Sequence, residues 1–293
     1  MLTIHGPALP VAALCLALLP LELSGAADAH SHSPAANRPL IERFANVLYT
    51  QRDVKRAFES FVAPDYVQHN PGLPDGREAA IAALAPMFAT TGAQFDVKHI
   101  LVDGNLALIH LFGRGNPATA GAAVADIYRL QDGLIVEHWD VLQPVAAGSE
   151  PLAQSLGHGD NRTMVASPSD IARNRVVMRR FVDLLYRRKQ VAAAFRTYAA
   201  TDMIQHNKSL GAGREGSIAA LSKVFADPGA EFAVQRILFD GNLAAIHYRG
   251  QLHAGDAGAA VVEVFRLESG RIVEHWDMLQ AMPTTSTNAH PMF

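Results

Sequence analysis

The hexapeptide Ile-Val-Glu-His-Trp-Asp occurs twice, at Ile135–Asp140 and Ile272–Asp277, 137 residues apart. Around it, Arg129–Gln143 and Arg266–Gln280 agree at 11 of 15 positions, and the chain's two tryptophans, Trp139 and Trp276, sit in the two copies. The same offset runs upstream without a gap. Gln68-His69-Asn70 returns as Gln205-His206-Asn207, Phe95–His110 matches Phe232–His247 at 11 of 16 positions, and Asp126 returns as Glu263. Such a period is too long for a solenoid unit and is that of a whole domain, so the chain must fold as two copies of one architecture. With 293 residues, 49% of them hydrophobic, it carries enough apolar mass for two cores.

The repeat sets the boundaries: a first domain over 38–145, a linker over 146–170 rich in Gly, Ser and Pro, a second domain over 171–283, and a frayed tail over 284–293. Ahead of them, 1–29 reads as a signal peptide. Ala8–Leu19 is an apolar run too short to span a bilayer, Pro20 breaks it, and Ala27-Asp28-Ala29 has the form of a cleavage site. The expected location is periplasmic or secreted, with no membrane attachment after cleavage. The single cysteine, Cys15, lies inside that run, so the mature chain would have neither disulfides nor thiol chemistry. A net charge of −3 without a basic stripe argues against a nucleic-acid partner.

Within the first unit, helical spacing covers Pro39–Gln51, Val54–Val62 (with Asp53 as N-cap) and Gly76–Phe88, with Pro64–Pro74 read as a loop. The pattern then switches to period two over Gln94–Val102, Leu106–Gly113, Ala122–Leu130 and Leu134–Leu142. The second unit repeats it, with helices expected at Ile171–Arg188, Val191–Tyr198 and Arg214–Phe225 and four strands from Glu231 to Leu279. Each unit is therefore an α+β domain of three helices on a four-stranded antiparallel meander.

A polar set recurs in both halves within apolar surroundings. It comprises His69, Asn70, His110, Asp126, His138, Trp139 and Asp140, matched by His206, Asn207, His247, Glu263, His275, Trp276 and Asp277. Turn geometry relates two of its members. A three-residue loop Gln131-Asp132-Gly133 would place Asp126 opposite His138, where the carboxylate orients and charges the imidazole; a two-residue loop would place Asp126 opposite Trp139. In either register Asp126 is a proton-transfer candidate. The histidines lack short metal-ligand spacing, and no nucleophile elbow, phosphate loop or dinucleotide fingerprint is present, so neither metal nor cofactor is expected.

The runs Tyr66-Val-Gln-His-Asn-Pro71, Asp75-Gly-Arg-Glu78, Asp126-Ile-Tyr-Arg-Leu130 and Gly133–Asp140 resemble SnoaL-like proteins of the nuclear-transport-factor-2-like superfamily, in the group described as predicted aldol-condensation catalysts. The resemblance covers roughly 38–145 and 172–282. It implies two tandem cone-shaped α+β domains, each with helices closing a curved sheet around an apolar pocket. It also implies cofactor-free catalysis of the cyclase, lyase or isomerase type. Asp126 and His138, with Glu263 and His275 in the second copy, would be the catalytic groups. The remaining members, His69, Asn70, His110, Trp139, Asp140, His206, Asn207, His247, Trp276 and Asp277, would bind substrate. A non-catalytic binder of a small apolar ligand is the alternative, since this fold hosts both. Such domains pair through the outer face of the sheet, so the halves would form a pseudo-dimer within one monomeric chain rather than two independent beads.

Overall fold

The computed structural model describes residues 34–145 and 167–293. The leader-like segment 1–29 and nearly all of the linker fall outside them. No helix among the described residues is long and apolar enough to cross a membrane.

The first unit begins with α1 (Pro34–Ala45), which runs into a π-helical turn, Asn46–Thr50. The side chain of Asp53 accepts the Arg56 amide and starts α2 (Val54–Phe61). Next come β1 (Val62–Gln68) and α3 (Arg77–Ala89). Four antiparallel strands follow: β2 (Gln94–Asp103), β3 (Leu106–Arg114), β4 (Ala122–Gln131) and β5 (Leu134–Pro144). The second unit has the same order. Its helices are α4 (Pro168–Val182), α5 (Val191–Tyr198) and α6 (Gly213–Phe225). Its strands are β6 (Ala199–Gln205), β7 (Glu231–Asp240), β8 (Leu243–Gln251), β9 (Ala259–Glu268) and β10 (Arg271–Ala281). Ser167 caps α4 by accepting the Asp170 amide, so the helix starts three residues before the expected boundary.

The α+β class is the expected one, but each sheet has five strands, not four. Their orders are β1-β5-β4-β3-β2 and β6-β10-β9-β8-β7. The added strand follows its helix without a turn and pairs in parallel with the last one, Gln68 opposite His138 and Gln205 opposite His275. Pro64, with the Pro, Asn and Gly residues that follow it, made Pro64–Pro74 read as a loop. Proline is tolerated there because β1 is an edge strand and one of its backbone faces needs no partner.

The helices and one face of each sheet enclose a separate core, built around Phe44, Phe58 and Tyr128 in the first unit and Phe181, Phe195 and Phe265 in the second. The other faces pack on each other. Ile127, Trp139 and Val141 meet Val264, Trp276 and Met278 in a third apolar cluster. Hydrogen bonds across this seam come in matched pairs. Asp103 accepts the Phe239 amide while Asp240 accepts that of Val102, and Gln143 accepts the Leu279 amide while Gln280 accepts that of Leu142. Ion pairs repeat the relation, Arg38 with Asp240 and Arg175 with Asp103.

Residues 284–293 are not frayed. They leave β10, cross to the first unit and bond there, with the Thr287 amide on the Pro71 carbonyl at 2.8 Å and Met292 buried in the seam. Their Pro and small polar residues carry no periodicity, which hid the contact from the sequence.

Candidate functional site

The β4–β5 turn fixes the geometry of the site. Asp132 and Gly133 both have positive φ, 52° and 78°, as a two-residue primed turn requires, and Gln131 pairs with Leu134. After Leu130 pairs with Ile135 the register shifts, and Arg129 lies opposite Glu137. Val136 is the extra residue of a bulge. Beyond it Tyr128 faces His138 and Asp126 faces Asp140. Neither expected pairing of Asp126, with His138 or with Trp139, occurs. The shorter turn and the bulge each move the register by one residue in the same direction, so facing parity equals that of the three-residue loop. Asp126, His138 and Asp140 therefore project from one side of the sheet. Ser269-Gly270 and a shift at Val273 do the same for Glu263, His275 and Asp277.

That side faces the helices of the first unit and lines a cavity of about 530 Å³, walled by Tyr49, Phe58, Phe88, Phe95, Leu111 and Val124. At its polar end Asp126 accepts the Tyr49 hydroxyl on Oδ2 and faces His138 Nε2 across 3.2 Å with Oδ1. The Tyr128 and Tyr49 hydroxyls are 3.1 Å apart. Gln68 Oε1 accepts the Asn70 amide at 2.8 Å, which fixes the amide orientation, and the same oxygen lies 2.9 Å from His138 Nδ1. Nδ1 therefore carries a proton, and the contact between Nε2 and Asp126 shares a second one. Asp140 Oδ2 accepts Asn70 Nδ2 at 2.5 Å, while Oδ1 is buried with no partner among the described residues.

Electrostatics follow from burial. Desolvation pushes the Asp140 carboxyl up to about 6, with His138 opposing and Asp126 adding to the rise. Desolvation acts to lower His138, but its hydrogen bond to Asp126 and the charges of Asp140 and Asp126 outweigh it and raise the imidazole above its ordinary value. The second unit is built from the same positions and behaves differently. Glu263, one methylene longer, accepts the hydroxyls of Tyr186 and Tyr248, and its nearest oxygen is 4.0 Å from His275 Nε2. Tyr248 stands where the first unit has Leu111. Burial raises Glu263 to about 7 and Asp277 to about 6, and lowers His275 to about 3. The imidazole–carboxylate ion pair of the first unit is thus replaced by two neutral groups near pH 6.

This difference predicts a pH effect on stability. Folded Glu263 keeps its proton up to about pH 7, whereas the unfolded chain loses it near 4.5. Its contribution is complete below 4.5 and is lost as pH rises through 7. Glu263→Gln, which cannot ionise, should match the wild type near pH 4 and exceed it at pH 9 by roughly 3 kcal/mol. Guanidinium unfolding at the two pH values measures this; an equal gap at both would refute it.

Other expected binding residues lie elsewhere. His69, His110 and Trp139, with His206, His247 and Trp276, belong to the opposite face of the sheets, because each strand residue flanking a pocket residue points away from it. His69 stacks on Trp139 with centroids 4.7 Å apart and meets Glu137 at 2.8 Å; His206 stacks on Trp276 at 4.9 Å and meets Glu274 at 2.8 Å. Arg236 lies 3.7 Å over the Trp139 ring and donates to His247 Nδ1, while at the equivalent position His99 contacts both Trp276 and His110. These residues join the two sheets. Conversely, the site uses Tyr49, Gln68 and Tyr128, which the sequence reading did not place in it. Tyr49 and Gln68 carried a usable signal, since both recur at the repeat offset as Tyr186 and Gln205. Tyr128 did not, being Phe265 in the second copy.

Donor atoms of Asp126, His138 and Asp140 lie within 4.8 Å of one another, a spacing a cation could use. As arranged, however, Nε2 is turned on Asp126, and Asn70 donates to Asp140, which is a pattern of proton sharing.

A family model described as "SnoaL-like domain" matches residues 41–138 and again 178–275. Solved structures similar to the chain include a nuclear-transport-factor-2-like protein of unknown function from Mesorhizobium loti (24% identity over 40% of this chain and 100% of that one, TM-score 0.34). Others are a putative SnoaL-like polyketide cyclase from Jannaschia (18%, 42% and 92%, TM-score 0.32) and a putative ketosteroid isomerase from Kribbella flavida (22%, 38% and 81%, TM-score 0.32). No curated protein matches the chain.

Proposed function

Because the chain belongs to the SnoaL-like domain family in two tandem copies, we propose that it is a small-molecule enzyme that needs no cofactor, with its reaction carried out in the first unit. The observation that carries this reading is the buried Asp126–His138–Asp140 cluster at the polar end of an apolar cavity of about 530 Å³. Burying two carboxylates and an imidazole together costs stability, and perturbed groups of this kind concentrate at reacting sites.

The cluster suits a proton taken from carbon and returned to oxygen. Asp126 removes a proton alpha to a substrate carbonyl and holds it as the carboxylic acid, while the His138 imidazolium stays against its Oδ1 through Nε2. The enolate closes on a second carbonyl of the same molecule, forming one carbon–carbon bond, and the alkoxide takes the proton back. The protonated imidazole and the Tyr49 hydroxyl stabilise negative charge as it develops. The same cluster fits an isomerase or lyase that moves one proton. The substrate is an apolar carbonyl compound, since aromatic and aliphatic side chains make most of the wall. The second unit, with its neutral histidine and added Tyr248, supports the first rather than reacting. The leader-like segment 1–29 supports export, which N-terminal sequencing of the protein recovered from its host would test.

A second reading, a binding protein for the same kind of ligand, is favoured by one observation: both oxygens of Asp126 are already engaged, by Tyr49 and His138. One experiment separates the two. A pool of carbonyl-containing host metabolites is incubated with the wild type and with the Asp126→Asn, Glu263→Gln double variant, and followed by mass spectrometry. A compound consumed by the wild type alone establishes the enzyme and names the reaction. A compound retained unchanged by both proteins establishes the binder.

A further inference from the structure

We infer that the C-terminal segment of the second unit is part of the first unit's site, and that Asn288 is a positioning residue for it. The segment does not lie on a plain surface. Thr287 donates to the Pro71 carbonyl through both its amide and its hydroxyl, at 2.8 and 2.9 Å. Asn288 Nδ2 donates to two carbonyls at once, Asn70 at 2.7 Å and Leu73 at 2.8 Å. His290 Nε2 is 2.7 Å from Asp75 Oδ2, and His69 Nδ1 donates to the Pro291 carbonyl at 2.5 Å. Beyond these, Met292 is buried in the inter-sheet cluster and Phe293 stacks on His247 at 5.4 Å.

Each end of the clasped turn reaches the site by a single further residue. Asn70 spends its side chain in two directions. Oδ1 accepts the Gly72 amide and closes the turn, and Nδ2 donates to Asp140. Asn288 holds the backbone of that same turn, so it sets where the Asn70 amide, and with it Asp140, can sit. On the other branch Asp75 accepts the Gln68 amide at 2.8 Å, and Gln68 Oε1 holds His138 Nδ1. Asn70, Gly72 and Leu73 also line the cavity. The turn between β1 and α3 has no sheet partner of its own, and a loop left without such ties samples positions that a proton-transfer site cannot tolerate. The His290–Asp75 pair is solvent-exposed and adds little. The bonds from Thr287 and Asn288 and the apolar anchor at Met292 carry the clasp.

The inference rests on reading the first pocket as the reacting site, but its test needs no substrate, so the two can fail separately. In the full-length, 15N-labelled chain, Asn288→Asp sets a carboxylate against two carbonyls and releases the turn. The ring-nitrogen resonances of His138 should move, those of His275 in the second unit should stay, and Tm should fall by no more than about 5 °C. Unmoved His138 resonances in a folded variant overturn the inference. Displacement of both histidines together also overturns it, since the segment would then act only on global stability. Thr287→Val, which removes one of two bonds to Pro71 and adds no charge, is the second variant. It should give the same pattern in smaller amplitude, and it decides the matter alone if Asn288→Asp does not fold.

Discussion

Trp276→Ala should lower the unfolding free energy by about 3–5 kcal/mol, the cost of emptying a fully packed site of the largest side chain. Trp276 is completely buried, with the His206 ring parallel to it at 4.9 Å and the His99 ring edge-on at 4.7 Å. Its position makes the effect informative. It projects from β10 into the seam, so its loss loosens the packing of one sheet on the other rather than the interior of either unit. Denaturant unfolding followed by far-UV circular dichroism should therefore show the whole chain weakened. Trp139, then the only indole, reports the same transition by fluorescence from the opposite unit. A loss below about 1 kcal/mol, the range of ordinary surface substitutions, would mean that the two sheets are not packed as described. So would a transition confined to the second unit while the Trp139 signal kept its wild-type midpoint.

That seam also explains what the sequence could and could not disclose. The repeat offset, the switch from helical to alternating periodicity and the glycine-containing turns fix the class, the order of elements and most boundaries, because each is a local property of the chain. Strand β1 was hidden by Pro64, which is harmless at an edge and unreadable as such before the topology is known. The site was half legible. Repetition singled out Asp126, His138, Asp140 and Asn70 together with His69, His110 and Trp139, yet it cannot say which of two faces a residue serves. Facing depends on the register, and the register depends on Val136, a bulge residue that nothing in its own chemistry marks. Both faces are under constraint here, one by the pocket and one by the partner sheet, so recurrence gathers the residues of both. The clasp by Asn288 joins residues 218 positions apart, and no local pattern announces such a contact.

Asp126→Asn should reduce turnover of the substrate found by the metabolite experiment by about 10²- to 10⁴-fold, the range contributed by a positioned acid or base. The change is nearly isosteric, so binding should persist and the loss should appear in kcat rather than KM. Glu263→Gln should leave turnover within about twofold of the wild type, since the proposal assigns the reaction to the first unit alone. The cluster titrates as a coupled unit, and Asp140, held near 6 by burial, supplies its acid-side transition. Turnover should accordingly rise as pH increases through about 6. Below that value Asp140 is protonated, and the charge that helps keep His138 in its acid form is lost. In Asp140→Asn this limb should disappear while a smaller turnover remains. An unchanged profile in Asp140→Asn would remove Asp140 from the mechanism. A loss in Glu263→Gln as deep as that in Asp126→Asn would mean that turnover requires both units together, and the neutral pairing of Glu263 and His275 would then have to be a resting arrangement that substrate binding reverses.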